Sequence, residues 1–224
     1  MNDRMVRVMD ILFHSFWPLL KAGILFTVPL TVLSFSLGLI AAFITALVRI
    51  SNIRILTPIA GFYVWIIRGT PLMVQLFIIF YGLPSIGITI NAFISASIGF
   101  TLSVGAYNSE IIRAAILSIS KGQWEAAHAL GMPKFLTLWH IILPQAVRVA
   151  IPPLSNSFIS LVKDTSLAAA ITVTEMFQVA QQITATTYEP LWLYSEAALI
   201  YLLFSSVLSY LQAHLEKRFG RYIH

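Results

Sequence analysis

The residues with the most chemistry to offer lie in otherwise apolar stretches. Asn156, Ser160, Lys163 and Asp164 fall at i, i+4, i+7 and i+8, which sets an amide, a hydroxyl, an ammonium and a carboxylate on one helical face. A zwitterionic ligand needs an acceptor for its ammonium and a donor for its carboxylate, and this stripe carries both. The same spacing permits a plainer arrangement, in which Lys163 and Asp164 neutralise each other or contact a neighbouring helix. A second group is Arg68-Gly69-Thr70-Pro71, with Gln75 seven residues after Arg68. Thr70 suits an N-cap and Pro71 a first turn, so a new helix is expected to start there. A helix that restarts within a membrane aims free amides at anions. Arg68 beside it is suited to a carboxylate ligand, or to a structural pairing with Glu110 or Asp164. In the third group Glu110 and Arg113 stand at i, i+3 and are spaced to neutralise each other, which leaves Asn108 as the ligand candidate.

Other chemistries find no support. The chain has no cysteine, so it has no disulfide and no thiolate ligand or nucleophile. Its five histidines (His14, His128, His140, His214 and His224) show no metal-ligand spacing. There is no G-x-x-x-x-G-K-[ST] sequence to cradle nucleotide phosphates and no nucleophile elbow. A non-enzymatic chain with no metal and no cofactor of its own is expected.

The elements that must position these residues follow from composition. Of 224 residues, 58% are apolar and only 10% charged, with a mean hydropathy of +0.84. Soluble domains carry about 25% charged residues, so a soluble enzyme is excluded, and the apolar content excludes disorder. An all-α integral membrane protein is the expectation. A span needs roughly 20 apolar residues, which places five, at about 22–48, 56–82, 92–117, 151–173 and 191–212. The second and third are separated by the turn residues Leu83-Pro84-Ser85-Ile86-Gly87. The fifth carries one acid, Glu196.

Lysine and arginine set the orientation. Arg49, Arg54, Lys121, Lys134, Arg148, Lys217, Arg218 and Arg221 fall on one side, against Arg4, Arg7 and Lys21 on the other. The N-terminus is expected outside and the C-terminus in the cytoplasm, so the net charge of +5 is a topology signal and not a nucleic-acid patch. Residues 1–21 read as an extracytoplasmic, interfacial segment that is not a cleaved leader, and 216–224 as a cytoplasmic tail.

Residues 118–150 are the long non-spanning segment, and such loops in compact domains usually carry function. Two short helices are expected to meet at Gly131, with Pro133 in the first turn of the second and Pro144 bounding it. Leu130, Phe135, Leu136, Leu138 and Trp139 form an apolar surface too large for one hairpin to bury. It either lies on the bilayer or inserts into a groove of a cytoplasmic partner.

The segment contains Glu125-Ala126-Ala127, three residues, Gly131, nine residues, Ile141, one residue, then Leu143-Pro144. This resembles the EAA motif of bacterial binding-protein-dependent ABC importers. Arg68-Gly69-Thr70-Pro71-Leu72 with Gln75, Ala106-Tyr107-Asn108-Ser109-Glu110 and Lys163-Asp164-Thr165-Ser166-Leu167 resemble the polar amino-acid uptake branch of those permeases, over nearly all of 22–215. The resemblance implies a type I importer permease domain at 22–215, with a coupling helix between helices 3 and 4 in the cytoplasmic membrane. Implied partners are a second permease subunit, identical or paralogous, ATPase subunits that bind ATP and Mg, and an external solute-binding protein. Glu125, Ala126, Ala127 and Gly131 would dock in the ATPase cleft. Arg68, Gln75, Asn108, Asn156, Ser160, Lys163 and Asp164 are the substrate candidates, with Asp164 meeting the amino group. The family's candidate substrates are cystine, which is favoured, glutamine or a basic amino acid. An ion-coupled secondary transporter is the alternative, weakened by five spans, the lack of an inverted repeat and a cytoplasmic motif with no task there.

Overall fold

The computed structural model describes residues 3–51 and 53–220, and the regular elements among them are all helices. Asn52 and residues 221–224, which include Arg221 and His224 of the sequence reading, lie outside the described residues. Helix α1 (Asp3–Ala22) passes through a π turn (Gly23–Thr27) into α2 (Val28–Ile50). The boundary expected at residue 21 is therefore no break in the helix. The Val28 amide bonds back five residues to the Gly23 carbonyl, and the hydrogen-bond ladder carries on.

The second expected span is interrupted. Helix α3 (Leu56–Gly69) ends before Pro71, whose extended backbone (φ −64°, ψ 133°) precedes α4 (Leu72–Phe77). A π turn (Ile78–Gly82) and a 3-10 turn (Leu83–Ile86) close on Gly87 at φ +85°, as the turn residues there require. Helix α5 (Ala92–Ser118) begins where the Asn91 carboxamide accepts the Ile94 amide at 2.9 Å, a side-chain N-cap.

The segment after α5 holds α6 (Lys121–Ala129) and α7 (Lys134–Thr137), then a π turn (Leu138–Ile142) and α8 (Leu143–Asp164). Pro144 was expected to end the helical hairpin and does not. The π turn bonds the Leu143 amide to the Leu138 carbonyl, and the helix continues through a proline in its first turn, where the missing N–H costs least. A 3-10 segment (Thr165–Ile171), α9 (Met176–Thr187) and α10 (Pro190–Gly220) complete the chain.

Three continuous helical runs, Asp3–Ile50, Lys134–Ile171 and Pro190–His214, are long and apolar enough to cross a bilayer, and α3 with α4 makes a fourth as a broken span. Only 28%, 28% and 17% of the three apolar windows is buried within the protein. So much exposed hydrocarbon is soluble only in lipid. Helix α5 has 27 residues, about 40 Å of helix at 1.5 Å per residue, so its length also suffices.

The chain divides into two compact units. In the first (Met1–Ser36, Thr70–Phe100 and Phe158–Tyr210), Leu19, Met176, Ala180, Ala197 and Ile200 form an apolar core joining α1, α9 and α10. Polar contacts reinforce that junction. Ser15 donates to Glu196 at 2.5 Å, Arg7 to the Thr187 carbonyl at 3.1 Å and Arg4 to Glu189 at 3.2 Å.

In the second unit (Leu37–Gly69, Thr101–Ser157 and Leu211–His224), Ala42, Ala46, Ile112, Ala115, Ile142 and Ala146 are core residues joining α2, α5 and α8. Small residues bring α2 against α5. A β-carbon at Gly38 would stand 2.5 Å from the Val104 side chain of α5, and one at Gly105 would stand 3.2 Å from the Ala41 β-carbon of α2 and 2.6 Å from the Tyr63 hydroxyl of α3. Close backbone approach of this kind is how membrane helices gain dispersion energy when lipid offers no hydrophobic drive.

Candidate functional site

The second unit holds an ion cluster around Glu110. Arg113 donates two hydrogen bonds to it, at 2.8 and 3.1 Å, from one turn along α5, as the i, i+3 spacing suggested. Arg49, at the end of α2, is hydrogen-bonded to the other carboxylate oxygen. Arg68, near the end of α3, stands 3.9 Å from Glu110 and lies over the Tyr107 ring at 5.3 Å. The structure thus gives Arg68 a carboxylate partner within its own unit, which is the structural pairing left open by the sequence. One carboxylate serves three guanidinium groups on three helices, so the cluster keeps a formal surplus of two positive charges.

Asn108, two residues before Glu110 on α5, is fully buried. Neither its carbonyl oxygen nor its amide nitrogen has a hydrogen-bond partner. A buried amide without partners is costly, and native structures keep few of them. Asn156, also in this unit, is exposed and accepts a hydrogen bond from Gln212 at 2.9 Å.

In the first unit Gln75 is 8% exposed, and its amide donates to the Thr70 hydroxyl at 2.8 Å and the Thr70 carbonyl at 3.1 Å. Two details of the sequence reading change here. The cap of α4 is Pro71, not Thr70, whose hydroxyl accepts from the Gln75 amide. Gln75 also shares no helical face with Arg68, since the helix does not continue through 70–71. Ser160, Lys163 and Asp164 form an exposed stripe at the end of α8. No salt bridge within 4.0 Å joins Lys163 to Asp164 among the described residues.

The sequence analysis did not single out Glu175. It is fully buried in the first unit, caps α9 by accepting the Gln178 amide at 2.8 Å, and accepts the Tyr201 hydroxyl at 2.6 Å. Thr27 donates to it at 3.4 Å. The available signal was an acid directly before the apolar-periodic run from Met176, a usual N-cap position. Glu196 also gains a partner, in Ser15 of α1.

The hairpin of α6 and α7 lies within the second unit. Its turn is a Schellman motif: Gly131 donates to the His128 carbonyl at 2.9 Å, and Met132 to the Ala127 carbonyl at 3.0 Å. Gly131 has φ +75°, the left-handed conformation this motif needs. Pro133 is the cap of α7, one position before the first-turn place expected for it. Ala127 is buried, while Glu125, Ala126, Leu130 and Phe135 are exposed, the last two at 82% and 68%. Glu125 borders a hollow of about 280 Å³ lined with Trp124, His128, Met132, Lys134 and Thr137. The apolar surface expected from Leu130, Phe135, Leu136 and Trp139 is largely open, while Leu138 packs on the core and the Trp139 ring meets Phe43 edge-on at 6.0 Å. Among the described residues no group of histidine, aspartate or glutamate side chains is arranged to hold a metal ion.

Comparison with known proteins gives a consistent picture. Residues 34–221 match the family described as binding-protein-dependent transport system inner membrane component. The chain is 55% identical over 215 residues to the L-cystine transport system permease protein TcyB of Bacillus subtilis (strain 168), covering 96% of this chain and 92% of the relative. It is 40% identical to the probable amino-acid ABC transporter permease protein YckA of the same organism, covering 92% of each. Among solved structures, an amino acid ABC transporter crystallised with histidines superposes with a TM-score of 0.84 at 32% identity, covering 97% of this chain and 100% of that one. The inward-facing MetNI methionine ABC transporter shares the fold, with a TM-score of 0.70 at 18% identity and coverage of 98% and 99%. The chain belongs to the binding-protein-dependent transport system inner membrane component family, as a multi-pass permease of an amino-acid ABC importer.

Proposed function

We propose that this chain moves cystine across the cytoplasmic membrane as the permease subunit of an ATP-driven importer. The observation that carries the substrate is its extensive identity to the L-cystine permease of Bacillus subtilis. The subunit works by alternating access, with five spans, an external N-terminus and a cytoplasmic C-terminus, since its basic residues gather on the side of the α6–α7 hairpin. Its partners are ATPase subunits that bind ATP and Mg, an extracytoplasmic solute-binding protein and a second permease subunit.

The hairpin is the coupling element. Its turn, fixed by Gly131, presents Glu125, Ala126 and the exposed Leu130 and Phe135 to the ATPase. The substrate candidates are Arg68, Gln75, Asn108, Asn156, Ser160, Lys163 and Asp164. Asn108 has the best structural support, because its two unpartnered amide atoms lack the hydrogen bonds a ligand would supply. The exposed Asp164 supplies a counter-charge for an ammonium group, and Lys163 one for a carboxylate.

The test is uptake of labelled cystine by membranes carrying the full importer, with and without ATP, challenged by unlabelled cystine, glutamine and arginine. ATP-dependent uptake that cystine alone competes away is the expected result. Competition by glutamine or arginine at equal strength would reassign the substrate. Uptake driven by a proton or sodium gradient in the absence of ATP would remove the importer reading.

A further inference from the structure

We propose that Tyr188 is the knob by which this subunit docks its external solute-binding protein. Tyr188 caps the C-terminus of α9 in a left-handed conformation (φ 59°, ψ 30°), and its amide donates to the Thr184 carbonyl at 2.9 Å. Glycine or asparagine usually fills this position, because a β-carbon crowds the following carbonyl. A tyrosine here strains the backbone, and at 82% exposure its ring gains nothing from packing within the subunit. The corner would fold better with glycine, so the ring serves something outside the chain.

The corner is also held from both sides. Arg7 of α1 donates to the carbonyl of Thr187, the residue before Tyr188, at 3.1 Å. Arg4 donates to the carboxylate of Glu189, the residue after it, at 3.2 Å. Pro190 then starts α10. An exposed aromatic on a backbone fixed in advance has the features of an interface hot spot, since little order remains to be lost on binding. Arg4 and Arg7 are exposed beside it, while the Glu189 side chain is only 12% exposed. Of the two guanidinium groups, Arg4 is paired with Glu189 and Arg7 holds a neutral carbonyl, so Arg7 keeps its charge beside the ring. The complementary face is an aromatic-sized pocket with a carboxylate placed to meet Arg7.

A lipid headgroup layer also collects tyrosines. Anchoring in lipid needs no clamped and strained backbone, whereas docking a rigid protein gains from one. The proposal rests on the importer reading above, and on its orientation, which puts this corner and α1 on the external side.

The test uses the complete importer in nanodiscs, with the solute-binding protein on which wild-type uptake depends. Tyr188→Gly removes both strain and ring, so it folds at least as well. Its stimulation of ATP hydrolysis by the solute-binding protein should fall roughly ten-fold or more, the scale of a lost aromatic hot spot, with unstimulated hydrolysis unchanged. Tyr188→Trp should keep most of the stimulation. The chain has no cysteine, so Tyr188→Cys gives the one thiol of this subunit, which is labelled before the importer is assembled. A fluorophore there should be shielded when the solute-binding protein is added. Full stimulation of the Gly variant, or a fluorophore quenched by spin-labelled lipid and indifferent to the protein, overturns the proposal while leaving the importer reading intact. Wild-type uptake that needs no solute-binding protein removes the importer reading and this proposal together.

Discussion

Arg68 on α3 and Glu110 on α5 face each other at 3.9 Å, and Glu110 is already engaged by Arg49 and Arg113. The carboxylate joins three helices of one unit, and removing it leaves three like charges together. Glu110→Gln is expected to destabilise the subunit by about 1–3 kcal/mol, between the values for exposed and buried pairs. Thermal unfolding in detergent checks this, with a midpoint several degrees below wild type. Arg113→Ala, which keeps the carboxylate and removes one cation, should cost less.

Gly131 is the one residue of the hairpin turn whose backbone excludes other side chains. Nothing lies within 4 Å of where a β-carbon would sit, so Gly131→Ala suffers from its φ of +75° alone, about 1–2 kcal/mol. That strain falls on an exposed turn and leaves membrane insertion intact. Uptake should drop about ten-fold, a misdocked coupling element costing on the order of 1.4 kcal/mol, and Gly131→Asn should retain more activity because asparagine tolerates this conformation. Uptake and ATP hydrolysis measured on the same preparation separate lost coupling from lost protein.

Asn108 separates ligand binding from architecture in one substitution. If its amide serves only the fold, Asn108→Leu should be harmful to stability. An amide with no partner is better replaced by a hydrocarbon of similar size, so stability is expected to rise by about 1 kcal/mol. Uptake is expected to fall about ten-fold or more, as one lost ligand hydrogen bond implies. Melting and uptake moving in opposite directions is the signature.

Asp164→Asn removes a charge from an exposed carboxylate at the end of α8 and should leave folding and ATPase assembly unchanged. Uptake should fall while the yield of complex stays constant. Equal uptake by the variant would make the stripe structural.

Much of this organisation could be read before the structure, because membrane helices announce themselves by length and apolarity. The break at 70–71, the turn at 83–87 and the hairpin turn at Gly131 were legible, since proline and glycine act through their own backbone. The three-arginine cluster was only half legible. Arg113 and Glu110 share a helix and a spacing rule, whereas Arg49 reaches Glu110 from 61 residues away. Glu175 was missed for the same reason, as Thr27 and Tyr201 approach it from two other helices. The orphan state of Asn108 is invisible to sequence, which lists a residue's hydrogen-bonding groups and not its neighbours.

The three π turns, at Gly23–Thr27, Ile78–Gly82 and Leu138–Ile142, each hold one residue more than an α-helix would use there. Such a turn acts as slack in the rotational phase of its helix. Deleting one residue within Leu138–Ile142 would draw the turn back into plain α-helix and leave Asn156, Ser160, Lys163 and Asp164 facing as before. The same deletion a few residues later, inside α8, would rotate that stripe by about 100° relative to the hairpin, because no slack remains to absorb it. The helical run that leads from the α6–α7 turn into the polar stripe is therefore tolerant of length change at one place and intolerant next to it.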